Sequence, residues 1–206
     1  MGSKLYSNKN VYDAALERLY YVFLNFPRVY ISFSGGKDSG VLLNLALHVA
    51  KNLNRLPVNV LTIDFEAQYK HTIDYVYKMM NRKDVNGYWV CLLIHLRNAV
   101  SQIQPHWLCW DENKKDAWIR EMPDHPSVIN DRDDFPLFSE GMEFEEFVPK
   151  FGEWFSKEEK TACLVGIRSD ESINRFRTIK NLSKETYEDK LWSTRISENV
   201  WNFYPI

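Results

Sequence analysis

The stretch "YISFSGGKDSGVLLNLALHVAK", residues 30–51, joins an apolar run directly to two glycines, a lysine and an aspartate. The apolar run, Val29 to Phe33, has the length and composition of a buried strand. After the polar residues, apolar side chains recur with helical spacing from Val41 to Leu53. The stretch therefore predicts a strand, a tight glycine turn and a helix in direct succession.

The residues at this junction are typical of an anion site. Gly35 and Gly36 let successive main-chain amides point into one concavity, and the start of the helix adds unpaired amides and a positive dipole end. Lys37 supplies a mobile positive charge, while the hydroxyls of Ser34 and Ser39 can hydrogen-bond phosphate oxygens. The loop is therefore predicted to bind phosphate.

Asp38 has two interpretations at this site. In one interpretation, a divalent cation, most simply Mg²⁺, bridges the Asp38 carboxylate to the phosphate, because the two anions would otherwise repel each other. Asp is also among the commonest residues that cap the start of a helix, and we expect that start near Asp38 or Ser39. The sequence leaves both interpretations open.

The spacing of the glycines differs from that of two well-known phosphate loops. The Walker pattern requires four residues between its glycines, whereas Gly35 and Gly36 are adjacent and Lys37 precedes Asp38. The dinucleotide pattern G-x-G-x-x-G does not fit Gly35, Gly36 and Gly40 either. The loop belongs to another class.

The rest of the chain predicts a doubly wound α/β fold with a mostly parallel sheet and helices on both faces. Asn10 can cap a first helix that Pro27 ends, with a buried stripe of Ala15, Leu19, Val22, Phe23 and Phe26. Further elements are expected as strands at Val58–Ile63, Trp89–Ile94 and Thr161–Ile167, and as a helix at Tyr69–Arg82.

A segment of different character, residues 95–142, interrupts this pattern with three tryptophans and many charges. We interpret it as an aromatic-rich insertion or lid. After it, Glu143 to Phe155 has aromatic residues at helical spacing, which favours a helix that packs this face on the core. Packing is the favoured role for these aromatics over cofactor binding.

Composition narrows the class of protein. The chain has 206 residues, 45% of them hydrophobic, which is enough for one sizeable core. Its 26 basic and 28 acidic residues leave a net charge of −2, so direct binding of duplex DNA is not expected. No apolar run approaches the roughly 20 residues that span a bilayer. Three cysteines favour free thiols in a reducing compartment, and we predict a cytoplasmic protein without membrane contact.

The cysteines have a structural and a metal-binding interpretation. Cys91 and Cys163 fall within predicted strands, which favours burial, and Cys109 is expected to be accessible. Cys91, His95, His106 and Cys109 also have spacings that four tetrahedral zinc ligands can have. That zinc site is the less favoured interpretation, because Cys91 lies within a strand and not in a tight loop.

Ser34-Gly35-Gly36-Lys37-Asp38-Ser39 resembles the Ser-Gly-Gly-x-Asp-Ser signature of the PP-loop ATP pyrophosphatases, the adenine nucleotide alpha-hydrolase-like superfamily. Within it, the chain resembles the phosphoadenosine phosphosulfate (PAPS) reductase branch, which includes the ATP-sulfurylase small subunit. It is most similar there to prophage- and phage-associated members typified by the immunoglobulin-binding regulator IbrA. Residues 60–76, 141–155 and 166–176 also carry the likeness, which runs from about residue 11 to the last residue.

The resemblance implies a single PP-loop nucleotide-binding domain over residues 1–206. Its loop would bind the phosphates of ATP or PAPS, and the backbone around Ile63, Asp64 and Phe65 would meet the adenine or ribose. Catalytic roles would belong to Lys37, Asp38, Arg168, Glu171 and Arg175, with Asp38 as a tentative Mg²⁺ ligand.

The spacing of the last three residues supports a shared site, because Arg168 and Arg175 lie two turns apart if the segment is helical. Glu171 could then orient both arginines. The alternative is a surface helix on which Glu171 simply pairs with Arg175.

The activity that the resemblance implies is attack of an unidentified acceptor on the α-phosphate of ATP, with transfer of AMP and release of pyrophosphate. Two alternatives are a catalytically reduced nucleotide-binding regulator that acts through a protein partner, and a PAPS-using transferase or reductase subunit; a homo-oligomer also fits. No Glu-Cys-Gly motif follows Cys163, which makes reduction by a thiol of this chain doubtful. The C-terminal part of the family pattern appears absent after "NVWNFYPI".

Overall fold

The computed structural model describes residues 8–97, 103, 106–180 and 183–206. Its elements, in chain order, are α1 Val11–Asn25, β1 Arg28–Ser32, α2 Lys37–Asn52, β2 Val58–Ile63, α3 Lys70–Met80, β3 Val85–Val90, β4 His95–Arg97, β5 His106–Leu108, a 3-10 helix at Glu112–Ala117, β6 Val128–Ile129, α4 Phe144–Ser156, β7 Thr161–Val165, α5 Ile173–Lys180, β8 Ser193–Arg195 and β9 Val200–Phe203. None of the helices in these ranges is both long and apolar enough to cross a membrane.

Seven of the described strands form one sheet in the order β6, β3, β2, β1, β7, β9, β8. All neighbours are parallel except β8, which runs antiparallel to β9. Strands β2, β3 and β6 follow β1 on one side of the sheet, and β7, β9 and β8 follow it on the other side. This is the predicted doubly wound fold, and the boundary between β1 and β7 is its topological switch point.

Each face of the sheet has its own core. On one face, Leu19 of α1, Leu42 of α2 and Ile73 of α3 belong to one buried cluster with Ile31 and Val60 of the sheet. On the other face α4 packs through its aromatic side, which the sequence predicted as a packing surface, with buried residues Phe147, Phe151 and Phe155. Helices therefore cover both faces of the sheet.

The prediction for α1 is confirmed. The Asn10 side chain accepts a hydrogen bond from the main-chain N–H of Asp13 at 2.8 Å, and the helix ends at Asn25, two residues before Pro27. Its expected stripe is buried: Ala15, Leu19, Val22, Phe23 and the C-cap Phe26. This capped helix packs beside α2 and supports the central strands.

Three element boundaries differ from the prediction. Strand β3 is Val85–Val90 rather than Trp89–Ile94, because it pairs with β2 over all six residues, from Val58 opposite Val85 to Ile63 opposite Val90. The start of this strand was not predicted because it contains Asn86 and Gly87, two residue types that are uncommon in strands. Strand β7 ends at Val165 rather than Ile167, and α2 begins at Lys37, one or two residues before the expected start near Asp38 or Ser39.

Three strands of the sheet were not predicted, namely β6, β8 and β9. Strand β9 lies beside β7 in parallel, and its Phe203 is fully buried with its ring 5.0 Å from that of Phe26. A four-residue strand in which only the two end residues are buried gives little local signal, since its pairing depends on residues far away in the chain.

We expect Phe203→Ala to lower the free energy of unfolding by about 3–5 kcal/mol, because it removes a buried aromatic side chain. Urea denaturation measures this change. The matched control Leu24→Ala alters a residue on α1 that is 67% exposed, and surface changes of this kind stay within about 0.5 kcal/mol. Similar effects of the two substitutions would contradict the placement of β9 in the core.

Candidate functional site

The loop between β1 and α2 requires glycine at position 35. Its φ of +73° lies in the left-handed region that favours glycine. A Cβ there would lie 2.7 Å from Cγ2 of Thr72 and 3.1 Å from Cγ2 of Val76, so α3 leaves no room for a side chain. Backbone conformation and packing together make this turn tight.

The N-terminus of α2 has no side-chain cap. Gly36 is the N-cap, so the interpretation of Asp38 as the cap is wrong. Gly40 donates to the Gly36 carbonyl at 2.9 Å, but the main-chain N–H groups of Lys37, Asp38 and Ser39 have no acceptor among the residues that the structure describes. Three amides therefore meet at the positive end of a 16-residue helix.

Space remains outside these amides. A Cβ on Gly36 would have Ser34 Oγ, at 3.4 Å, as its nearest neighbour, in contrast to the crowded Gly35. The Lys37 side chain is exposed and forms no ion pair within the described ranges. The loop thus combines free amides, open space and an unpaired cation, the features of an anion site.

The two serines differ in their positions. Ser34 is exposed and its hydroxyl lies 3.1 Å from that of Ser39. Ser39 is buried and donates its hydroxyl proton to the Gly36 carbonyl at 3.0 Å. Ser39 therefore stabilises the loop from its buried side, and the Ser34 hydroxyl accepts the Gly36 N–H at 3.4 Å.

The end of β7 lies directly against the first turn of α2. A Cβ on Gly166 would be 2.9 Å from Cα and 3.0 Å from the nitrogen of Ser39. Sequence reasoning did not assign Gly166 a role, although a glycine within a predicted strand is a signal of close backbone approach. This contact brings the segment after β7, with its arginines, to the phosphate loop.

The side chain of Arg168 reaches the loop, and its Nε makes no hydrogen bond among the described residues. Its Nε lies 3.9 Å from Oδ2 of Asp38 and 3.5 Å from Oδ1 of Asp170. This buried nitrogen has no hydrogen-bond partner among the described residues. A charged donor without an acceptor is unfavourable, so Arg168 has capacity for a further anionic partner.

Arg175 does not share a helix with Arg168, so the expected two-turn spacing is wrong. Helix α5 begins only at Ile173, and Arg168 precedes it in a turn. Glu171 joins the two arginines instead, because it pairs with the Arg175 guanidinium and accepts the main-chain N–H of Arg168 at 3.0 Å. The hydrogen bond from Arg168, followed by that from Arg175, lowers the pKa of Glu171 to about 2.

Asp64, at the end of β2, has its polar groups bound within the protein. Its carboxylate accepts hydrogen bonds from Trp89 Nε1 at 2.8 Å and from the Glu66 N–H at 2.9 Å, and it pairs with Arg120. Its carbonyl accepts from Trp110 Nε1 at 2.9 Å. The predicted contact of this residue with a nucleotide is not visible in these bonds and stays a prediction.

Ile63 and Phe65, on either side of Asp64, are half-buried. The Phe65 ring lies 5.7 Å from the ring of Phe144, at the start of α4. Ile63 is the last residue of β2 and Phe65 follows this strand, next to the carboxyl end of β1, so the structure brings both to the same edge of the sheet as the Ser34–Ser39 loop.

Glu66 has a structural role that sequence reasoning missed. It is 2% exposed and has a φ of +62°. Its carboxylate accepts the main-chain N–H groups of Trp110 and Ile119, both at 3.0 Å, and its carbonyl accepts Arg120 Nε at 2.9 Å. Asp64 and Glu66 therefore attach the segment after β5 to the end of β2.

The prediction that Cys109 is accessible is wrong, because it is fully buried next to the anchored Trp110. Cys91 and Cys163 are buried as expected. The described residues contain no group of three or more His, Cys, Asp or Glu side chains that could hold a metal ion. The four candidate zinc ligands are thus not assembled in this part of the chain.

We expect Asp64→Ala to lower the free energy of unfolding by about 3–5 kcal/mol, because it leaves the partly buried Arg120 without its carboxylate. Chemical denaturation measures the loss. The control Arg132→Ala breaks the exposed pair between Arg132 and Glu140, for which less than about 1 kcal/mol is expected. An effect of Asp64→Ala no larger than the control would show that the buried network does not anchor this segment.

The lowered pKa of Glu171 predicts how the 168–175 turn responds to acid. The carboxylate stabilises the turn above its ordinary pKa of 4.5, and this contribution is lost as the pH falls towards about 2. In a carbon-13 NMR titration we expect the Glu171 carboxyl signal, assigned by its loss in Glu171→Gln, to show no midpoint above pH 4. A midpoint at 4.5 would mean that the two hydrogen bonds are absent.

Comparison with known proteins gives two sequence findings. The sequence pattern of the phosphoadenosine phosphosulfate reductase domain matches residues 28–205. The chain is also 42% identical over 202 residues to "Uncharacterized protein YbdN" of Escherichia coli (strain K12), a match that covers 96% of this chain and 48% of YbdN. The chain therefore spans about half the length of this curated relative.

Solved structures show a weaker likeness. Candida glabrata FMN adenylyltransferase in complex with ATP is 14% identical with a TM-score of 0.47, over 98% of this chain and 53% of that one. Yeast FAD synthetase in complex with FAD is 14% identical with a TM-score of 0.45, over 98% and 56% of the two chains. These values carry no inference about function. The sequence findings, in contrast, cover nearly the whole chain, and they show that it belongs to the phosphoadenosine phosphosulfate reductase domain family.

Proposed function

We propose that this protein binds the phosphates of an adenine nucleotide, ATP or PAPS, at Ser34–Ser39 and acts on the α-phosphate by adenylyl transfer. The observation that carries the proposal is the set of three unpaired amides at the start of α2, at Lys37, Asp38 and Ser39. Main-chain amides at a helix N-terminus already point at a bound phosphate, so no flexible side chain has to become ordered when the phosphate binds.

Side chains around the loop add charge to this site. Lys37 is free to reach the terminal phosphates, and Nε of Arg168, which makes no hydrogen bond among the described residues, would gain an acceptor from a bound phosphate. Glu171 accepts hydrogen bonds from both Arg168 and Arg175, so it acts as a positioning residue. Ile63 and Phe65 offer a surface for the adenine at the neighbouring strand end.

The donor set near the loop fits a magnesium ion. Mg²⁺ in nucleotide sites is bound through one or two carboxylates plus phosphate oxygens. Asp38, half-buried beside the free amides, would supply the carboxylate. The bound ion would neutralise charge on the polyphosphate, and Asp38 would hold it there.

In the proposed reaction, a nucleophilic atom of the acceptor forms a bond to the α-phosphorus of ATP. The bond from this phosphorus to the bridging oxygen breaks, pyrophosphate leaves with the electron pair, and the acceptor proton passes to solvent. The protein contributes position and charge: the amides, Lys37 and Arg168 stabilise the leaving pyrophosphate.

Reduction of PAPS by a thiol of this chain is the less supported function. Cys91, Cys109 and Cys163 are all buried. Burial raises the pKa of Cys109 and of Cys163 to about 12 and raises that of Cys91 further. None of these three thiols therefore presents an accessible thiolate, the form in which a cysteine attacks.

We expect Lys37→Ala to weaken ATP binding by about 10- to 100-fold, because it removes a charge-assisted contact to phosphate. Isothermal titration calorimetry with ATP and Mg²⁺ measures the change. The control Lys51→Ala removes the same charge from the last turn of the same helix, and its affinity should equal that of the wild type. Equal affinities for all three proteins would contradict binding at this loop.

We also expect the wild-type protein, incubated with α-labelled ATP, Mg²⁺ and a panel of acceptors, to form a labelled adenylylated product and pyrophosphate. Lys37→Ala should form neither above background. Binding of ATP without any product would favour the alternative of a nucleotide-binding regulator that acts through a protein partner. Preference for PAPS over ATP in calorimetry would favour the transferase or reductase subunit.

A further inference from the structure

An open cavity of about 360 Å³ lies on the α4 face of the sheet, across the switch point of the fold. Tyr30 and Ser32 of β1, Cys163 and Val165 of β7, and Val148 of α4 are among its lining residues. Doubly wound folds bind ligands outside the carboxyl ends of the strands at this switch point. Ser32 lies only two residues before Ser34, so the cavity adjoins the phosphate loop from the opposite face.

The cavity contains two buried polar atoms that lack partners. Tyr30 is 0% exposed, and its hydroxyl makes no hydrogen bond among the described residues, although the Cys163 thiol lies beside it. Oδ1 of Asn202 is likewise buried without a donor. Such groups are costly when unpaired, because folding removes their water without replacing it.

The Tyr30 hydroxyl lies close to α4. An added Cβ on Gly152 would lie 3.4 Å from this oxygen and 3.1 Å from Cγ1 of Val200, so the helix approaches the hydroxyl through a glycine. The Tyr30 ring is fixed by edge contacts with the rings of Phe151 and Phe155, at centroid distances of 5.4 and 5.0 Å. The ring is therefore held in one place, and its buried hydroxyl has no hydrogen-bond partner among the described residues.

The charges around the cavity disfavour an anion. No Lys, Arg or His is among the lining residues, and the one carboxylate is Glu145 of α4. Burial raises the pKa of Cys163 to about 12 and raises that of Tyr30 well above its ordinary value, so both stay neutral. The remaining walls, such as Leu61, Val148 and Ile196, are apolar.

We infer that this cavity is the acceptor site: it binds an uncharged, largely apolar ring compound that accepts a hydrogen bond from Tyr30 and donates one to Asn202. The inference rests on the proposed function, because the word acceptor presupposes a nucleotide on the adjacent loop. A sulfate or phosphate group has no partner here and is excluded from the cavity by the nearby carboxylate. The volume lies within the range of small-molecule pockets, about 300–1,000 Å³.

Benzimidazole is a suitable probe, since it is neutral at pH 8 and has one N–H donor and one nitrogen acceptor on a flat apolar ring. Ligand-observed NMR, with saturating ATP present and absent, should show benzimidazole binding to the wild-type protein. Naphthalene-2-sulfonate, a flat ring of similar size with a negative charge, should not bind.

Two variants and one control test whether benzimidazole binds in this cavity. Tyr30→Phe keeps the ring and removes only the hydroxyl, and it should weaken benzimidazole binding by about three- to tenfold. Val148→Trp fills the cavity from α4 and should abolish binding. Tyr88→Phe removes a hydroxyl that already accepts a hydrogen bond from Asn86 at 3.2 Å, outside the cavity, and should bind as the wild type does.

Three results would overturn the inference: no binding of benzimidazole to the wild type, equal binding to Tyr30→Phe, Val148→Trp and wild type, or equal binding of the sulfonate. Displacement of benzimidazole by ATP would also overturn it, because the cavity would then hold the base of the nucleotide. ATP calorimetry on the same variants keeps this test separate from the proposed function. Tyr30→Phe and Val148→Trp should retain ATP affinity, whereas Lys37→Ala tests the loop alone.

Discussion

The main-chain amides at the start of α2 remain unpaired because the chain turns directly from strand β1 into the helix. Gly35 makes this turn with a positive φ, in a space that Thr72 and Val76 close to any side chain. Because the N-cap that follows is Gly36, no side chain reaches back to occupy the amides. The helix therefore begins with its positive end exposed at the carboxyl edge of β1, and the anion site that we propose there would be a consequence of the backbone rather than of one side chain.

The surrounding elements are arranged around this turn by two close approaches. Gly166 lets the segment after β7 lie against Ser39, and this contact brings Arg168 to Asp38. On the other side of β1, the buried carboxylates of Asp64 and Glu66 attach the segment after β5 to the end of β2. The proposed phosphate loop thus lies between two parts of the chain that are themselves fixed, next to the switch point of the sheet.

The sequence predicted those parts of the molecule whose signals are local. The strand, glycine turn and helix around Gly35 were recognisable because a change from strand to helical spacing occurs within a few residues. The cap at Asn10 and the aromatic face of α4 were predictable for the same reason. Strand β9 was not, because Phe203 is recognisable as a core residue only once β7 and Phe26 lie beside it.

The backbone geometry of the Ser34–Ser39 loop was predictable from the sequence, and the contacts around the loop were less so. Asp64 carries a carboxylate at a strand end, which suits a ligand contact, yet the groups that bind it, Trp89 and Arg120, lie 25 and 56 residues away in the chain. Cys109 was expected to be exposed for a similar reason, since the anchoring of Trp110 by Glu66 is a tertiary effect. The start of α5 at Ile173, which separates Arg168 from Arg175, likewise depends on the turn held by Glu171.

The central claim is that main-chain nitrogens at the start of α2 bind the phosphates of a nucleotide. The most direct measurement is a proton–nitrogen NMR titration of the labelled protein with ATP. The account predicts that the amide signals of Lys37, Asp38 and Ser39 move the most and saturate together with binding. Saturation of ATP binding with these three signals unmoved would contradict it.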